Sequence, residues 1–247
     1  MQTYKYIWLD FETTGLDKQK DRIIEVGYSL YTTTYQRILS SESFLVDNEG
    51  VPISVEAAEK THITPTMLDR FGFDQEAAVD KFCEYAKDAD AIIGHNSNWF
   101  DLPFIRNTAT RLDYDPLPCK ISIDTMTDIP GVKGEKLVTM CANHGFLNPF
   151  PHSALADAQS VLKLISFYDI DKVAERAISP TIIMLSHQDR GTAANKAARK
   201  AGFRWNGDFK IWWQAVKEMD IEQLAARVPF TISRASKEIS LEQLRED

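Results

Sequence analysis

Residues 4–11 hold the apolar run Tyr6-Ile7-Trp8-Leu9, followed by Asp10 and Phe11, and read as a strand whose side chains alternate between two faces. Ile7, Leu9 and Phe11 would line one face, and Tyr6, Trp8, Asp10 and Glu12 the other. Residues 22–31 and 41–46 read as two further strands, with spacers short enough for an antiparallel meander. The period then changes. Val79, Phe82, Cys83 and Ala86 fall on one helical face and predict a helix over 74–87. A strand over 91–96, a helix over 101–112, a strand over 121–126 and helices over 136–144 and 154–168 complete the series. Ala158, Val161, Leu162 and Ile165 form the apolar stripe of the last helix. Three strands followed by alternating helices and strands imply an α/β fold, a mixed five-stranded sheet flanked by helices.

Ser179-Pro180 reads as a boundary, which divides the chain into domains 1–179 and 180–247. The second part predicts a strand over 181–185, a helix over 192–201, strands over 203–205 and 209–214, a helix over 220–227 and a strand over 230–233. That order is βαββαβ, the split-βαβ or ferredoxin-like pattern. Asn206-Gly207 predicts a type I′ hairpin turn between the middle strands. Phe209, Ile211 and Trp213 would then share one face, with Lys210, Trp212 and Gln214 on the other. Residues 237–247 are polar and read as a helix or a frayed tail.

A chain of 247 residues, 44% hydrophobic and 26% charged, can bury enough surface to fold without a disulfide or structural metal. Cys83, Cys119 and Cys141 are far apart and form no CxxC, so neither a disulfide framework nor a zinc ribbon is expected. No apolar run approaches the roughly 20 residues of a membrane span, and residues 1–5 carry no signal-peptide core. A cytoplasmic protein is expected. The net charge of −8 excludes a protein that coats nucleic acid through broad positive charge. The charge is uneven, however. Residues 180–247 hold 11 basic and 9 acidic side chains, and residues 190–217 hold seven basic ones against Asp208 alone. If Trp212, Lys210 and Arg204 share an open sheet face, that face could stack bases and meet phosphates, with Lys196, Arg199 and Lys200 extending the positive field. A solvated basic helix over a tryptophan-rich core is the plainer alternative.

The acidic residues suggest chemistry. Asp10 and Glu12 point the same way at the end of an apolar strand, where they repel each other and resist desolvation. A divalent cation with a taste for hard oxygen ligands, Mg²⁺ or Mn²⁺, resolves both problems. Asp157 sits at the margin of its helix's apolar stripe without a basic partner at i+3 or i+4, and His152 stands just before that helix. Alone, these two read more simply as an acid favoured in a helix's first turn and an ordinary surface histidine. Asp101 follows a strand and would begin a helix; an N-cap with Pro103 just inside is the plainer alternative.

Taken together, the order of these pieces resembles the DnaQ-like 3′–5′ exonucleases of the DEDDh type. The motif D-x-E-T-T-G stands as Asp10 to Gly15, N-x(2–3)-[FY]-D as Asn96 through Phe100-Asp101, and H-x(4)-D as His152 to Asp157. The resemblance covers about residues 4–170 and implies a ribonuclease-H-like fold. It implies hydrolysis of phosphodiesters from a free 3′ end, with release of nucleoside 5′-monophosphates. Two divalent metal ions, Mg²⁺ with Mn²⁺ as a substitute, would be held by Asp10, Glu12, Asp101 and Asp157, and His152 would be the general base. Thr13, Thr14, Gly15, Leu16 and Asn96 would bind the terminal nucleotide. His62 resembles a position beside it, although a hydrogen-bonded loop histidine is an equal reading. Asp124 resembles a family position too and reads as structural, and His95, His144 and His187 match no catalytic role. The expected partner is nucleic acid with a free 3′ end, taken as single-stranded. DNA against RNA, a polymerase partner and the oligomeric state stay open. A non-catalytic binding module on the same fold is the alternative, and the filled catalytic positions argue against it.

Overall fold

The computed structural model describes residues 4–33, 37–114, 117–118, 120–132, 134–189, 191–236 and 238–245. The chain forms two compact units, 1–177 and 178–247.

In the first unit, β1 (Lys5–Thr13), β2 (Ile23–Thr32) and β3 (Arg37–Leu45) make the antiparallel meander. The chain then crosses through α1 (Val55–Thr61), α2 (Pro65–Phe71) and α3 (Gln75–Asp88) to β4 (Ala91–Gly94), and through α4 (Asp101–Arg111) to β5 (Ile121–Asp124). Both later strands run parallel to β1, giving the sheet order β3-β2-β1-β4-β5. α5 (Leu137–Asn143), α6 (Ala154–Ile165) and α7 (Ile170–Ile178) follow. Every residue of β4 is buried, as expected for a parallel strand covered on both faces.

The alternation along β1 divides the core in two. Ile7, Leu9 and Phe11 pack with Val79 and Phe82 of α3 and Phe104 and Ile105 of α4. Tyr6 and Trp8 pack on the other side with Met140 of α5, Val161 and Leu164 of α6, and Val173 of α7. Asp10 and Glu12 continue that second face past the end of its apolar floor. β2 carries Gly27 opposite Asp10 for a steric reason. A Cβ at Gly27 would lie 2.3 Å from the Leu155 nitrogen, so only glycine lets the start of α6 rest on the sheet beside the acids.

Three helices were not foreseen from the sequence. α1 and α2 are single-patch helices of seven residues: α1 buries no side chain and α2 only Leu68. They are held by their caps, with Ser54 and Thr64 accepting from the Ala57 and Met67 N–H groups. α7 is the third. The predicted helix over 154–168 ends at Ile165, and the predicted strand over 91–96 ends at Gly94, because Asn96 takes a left-handed conformation, φ 61°.

The second unit comprises β6 (Thr181–His187), α8 (Thr192–Lys200), β7 (Arg204–Asn206), β8 (Ile211–Lys217), α9 (Ile221–Arg227), β9 (Thr231–Arg234) and α10 (Leu241–Arg245). Its strands lie in the order β7-β8-β6-β9, and all three pairs are antiparallel, which is the split-βαβ arrangement expected from the sequence. Two details differ. Asn206 pairs with Ile211, so residues 207–210 form a four-residue loop and not a two-residue turn. The Asn206 side chain accepts the Phe209 N–H at 2.9 Å, and Lys210 takes the left-handed position, φ 53°. Trp212 is also not on an open face. It is buried in the core with Ala198 and Ala201 at α8, Phe203, and Leu224 of α9. Arg204 pairs with Trp213, and Trp205 with Trp212, so Arg204 lies on the opposite face from Trp212.

Cys83 and Cys141 are free thiols, and Cys119 lies outside the described residues. No helix among the described residues is long and apolar enough to cross a membrane.

Candidate active site

The site is built where β1 outruns its neighbour β4. The β1–β4 ladder ends at Trp8–Ile93, so the Phe11 N–H has no strand partner. The carboxylate of Asp101 accepts it through Oδ1 at 2.8 Å. Asp101 begins the helix, as its place in the sequence predicts, and the alternative that it caps the helix does not hold. Phe100 occupies that position without a capping side chain, and Asp101, buried, opens the first turn of α4 with its acid turned to β1.

Asp157 arrives from α6. One of its oxygens accepts the His152 backbone N–H at 2.9 Å, and the other accepts the Asn148 side-chain amide. The first bond closes the turn that carries His152, whose φ of 64° is left-handed. The ligating atoms of Glu12, His152 and Asp157 come within 4.8 Å of one another, a grouping able to hold a metal ion. The His152 ring is at the surface of this cluster, while Asp157 is buried. Asp10 lies one strand period from Glu12 on the same face.

The electrostatics tie the four acids into one centre. Burial raises the Asp10 carboxyl well above its ordinary value, and Asp101, Glu12 and Asp157 add to the effect. Glu12 is pushed up to about 8 by burial and then by Asp157. Asp101 is raised to about 7 and Asp157 to about 6, again by burial first. Four carboxylates crowded in one half-buried place resist their own ionisation, and a bound cation is what would restore their charge. His152 shifts the other way. Partial burial, then Lys60 and Lys136, lower its ring below the usual histidine value, which leaves it neutral and able to take a proton near pH 7.

Three participants escaped the sequence reading. Glu25 stands opposite Glu12 across β1 and β2, accepts the Ala154 N–H at the start of α6 at 3.1 Å, and raises Asp10, Glu12 and Asp157. Its signal was the strand register, which only the fold supplies. Asn148 holds Asp157 from a loop. Lys60, which lowers both Glu12 and His152, belongs to the unforeseen α1.

The remaining predicted residues are distributed unevenly. Thr13 and Thr14 are buried, and their hydroxyls are engaged within their own loop: Thr13 donates to the Gly15 carbonyl at 2.6 Å, and Thr14 to Asp21 at 2.9 Å. A Cβ at Gly15 would lie 2.5 Å from the Asp21 carboxylate, so this glycine is required by the loop itself. Leu16, at the tip, is 78% exposed. His62 is an exposed left-handed C-cap of α1. The Asn96 N–H donates to the buried Asp124 at 2.7 Å, and Asp124 also accepts the Asn98 and Met126 N–H groups. These three bonds fit the structural reading of Asp124. His95, His144 and His187 bond to Thr125, to Met140 and Tyr168, and to Ser233.

Comparisons with known proteins agree with this picture. The RNase_T family model, described as Exonuclease, matches residues 7–165. A DNA polymerase III PolC-type of Pediococcus pentosaceus is 31% identical over 160 residues, covering 63% of this chain and 11% of its own length. The chain thus spans about a tenth of such relatives. The DNA polymerase III subunit epsilon of Treponema pallidum is 27% identical over 172 residues, 64% of this chain and 73% of its own. Among solved structures, E. coli Exonuclease I with a dT13 oligonucleotide is 15% identical with a TM-score of 0.59, over 86% of this chain and 52% of that one. The nuclease domain of 3′hExo, a DEDDh family member, bound to rAMP, is 20% identical with a TM-score of 0.56, over 65% of this chain and 90% of that one. These two likenesses are of fold, the ribonuclease-H-like arrangement.

Proposed function

The chain belongs to the RNase_T exonuclease family, and from that footing we propose that it removes nucleotides from the 3′ end of single-stranded DNA, with Mg²⁺ as cofactor, and releases nucleoside 5′-monophosphates. The observation that carries the reading is the convergence of Glu12, His152 and Asp157, with Asp10 and Asp101 bound to the same strand end. Asp10, Glu12, Asp101 and Asp157 would hold two divalent cations, for which Mn²⁺ is an expected substitute. Their crowding, with burial raising all four carboxyls, suits such ions. Bound there, the ions supply Lewis acidity toward water and the scissile phosphate. His152, neutral near pH 7 and at the surface of the cluster, takes the proton of the attacking water. Leu16, exposed at the tip of the loop after Glu12, would lie against the terminal base. Thr13, Thr14 and Gly15 would act by shaping that loop, and Asn96 and His62 would contact the terminal nucleotide. A cytoplasmic setting fits a DNA substrate.

Single-stranded DNA is favoured because the neighbouring Exonuclease I was solved with a dT13 oligonucleotide. A second reading, a proofreading subunit seated on a polymerase, is favoured by the PolC-type and epsilon relatives. Digestion of 5′-labelled DNA and RNA strands of matched sequence, each with a free or a blocked 3′ end, tests the proposal. We expect a ladder that shortens from the 3′ end of DNA, absent when that end is blocked. Internal cuts on the blocked strand would overturn the exonuclease reading, and activity only with polymerase present would favour the second one.

A further inference from the structure

The basic character of residues 190–217 is not used by the catalytic centre, and the second unit carries a cleft of about 750 Å³ beside it. Leu185 to Asp189, at the end of β6, form one wall. Asn195 and Arg199 of α8 form another, and Trp205, Lys210, Ile211 and Trp212 close it. Its contents divide by chemistry. Trp205 is 48% exposed, an unusual state for so large an apolar ring, and its inner side rests on Trp212 with centroids 5.7 Å apart. The Arg199 guanidinium lies 5.7 Å from the centroid of the same Trp212 ring, which fixes a cation at the rim. Lys210 holds a second cation on the 207–210 loop. Gln188 and Asn195 offer amides, and Asp189 is the one acid among the lining residues. Lys196 and Lys200, exposed on α8, add positive charge nearby.

We propose that this cleft is a second nucleic-acid site, in which a base of single-stranded DNA stacks on Trp205 and neighbouring phosphates meet Arg199 and Lys210. An aromatic platform with flanking cations binds single strands without reading sequence, because every base has a π-face. Charge complementarity selects this occupant. Residues 1–179 hold 17 basic and 27 acidic side chains, a net charge of −10 that opposes a polyanion. A strand must be held by something other than net charge there, and the cleft supplies it. The inference rests on the nuclease reading for its choice of ligand, and its geometry is independent of the catalytic acids.

The test is anisotropy of a 5′-fluorescein oligothymidylate with the full chain in chelator. No cleavage occurs there, and the uncompensated acids of the catalytic centre add no affinity. Trp205→Ala is expected to weaken binding about tenfold. Trp205→Phe, which keeps a stacking ring, should retain most of the affinity. Lys210→Glu, on an exposed loop and free of the packing question, should weaken binding and flatten its salt dependence by about one unit of slope. Equal affinities for all four proteins, or a Trp205→Phe loss as large as that of Trp205→Ala, would overturn the site. The nuclease reading fails separately, as intact binding with no digestion when Mg²⁺ is restored.

Discussion

His152 shows how a backbone bond fixes the residue that we propose as the general base. Asp157 accepts its N–H at 2.9 Å and so holds the residue in a left-handed conformation that only a tethered loop keeps. Partial burial, and after it Lys60 and Lys136, lower the ring below the usual histidine value. His152→Gln removes the base and leaves the metal ligands, so kcat should fall about 10²- to 10⁴-fold while the affinity for a strand in chelator is unchanged. The rise of rate with pH through the histidine range, measured on the wild type, should disappear in the variant. A retained rise would assign the proton to another group. Glu25 tests the field around the acids. Glu25→Gln preserves an oxygen for the Ala154 N–H and deletes one negative charge. The Mg²⁺ concentration for half-maximal rate should then rise about tenfold, with a smaller change in rate at saturating metal. An unchanged metal titration would make Glu25 a helix cap and nothing more.

Among the elements, β1 and α6 are the pair on which the site depends, and Gly27 sets their separation. Gly27→Ala places a methyl group 2.3 Å from the backbone of α6, which cannot yield as a flexible side chain would. Denaturant unfolding should report a loss of about 1–3 kcal/mol, and hydrolysis should fall more than folding does, because Asp157 and His152 move with the helix. This is also the scale at which the sequence was most and least legible. β1 could be read because burial on both faces writes a continuous apolar run, and α3 and α6 because one buried face writes a 3.6-residue stripe. α1 and α2 could not, because a helix that buries one side chain or none leaves no stripe. The same physics explains the misplaced tryptophan. Adjacent residues of a strand face opposite ways, so Trp212 and Trp213 had to lie on different faces, but alternation does not say which face the helices cover. The Asn206-Gly207 pair marked where the hairpin turns but not the type I′ turn it predicted: the asparagine side chain closes a four-residue loop, and the left-handed residue is Lys210. The acids were legible as motifs. Their partners Glu25, Asn148 and Lys60 were not, since each reaches the site through pairing or packing that no local spacing records.

For the whole molecule, the four clustered acids cost stability until something neutralises them. Their folded-state values lie above the ordinary carboxylate range, up to about 8 for Glu12. Between about pH 4 and that value the folded chain holds more protons than the unfolded one. Stability in chelator should therefore fall as pH rises through this window. Calorimetry should find a lower Tm at pH 8 than at pH 5.5 without metal, and Mg²⁺ should raise Tm more at the higher pH. A metal-free Tm that climbs between those pH values would mean that the acids are neither crowded nor desolvated.

The measurement that bears most directly on the central claim is hydrolysis of a 5′-labelled DNA strand in Mg²⁺ by the wild type, Asp10→Ala and Asp157→Ala, with chelator as control. Acids that act as one metal-holding centre predict 3′-end shortening by the wild type alone, lost in chelator and reduced at least about 10³-fold in either variant. Digestion that persists in both variants, or in chelator, would contradict the assignment of this cluster as the catalytic site.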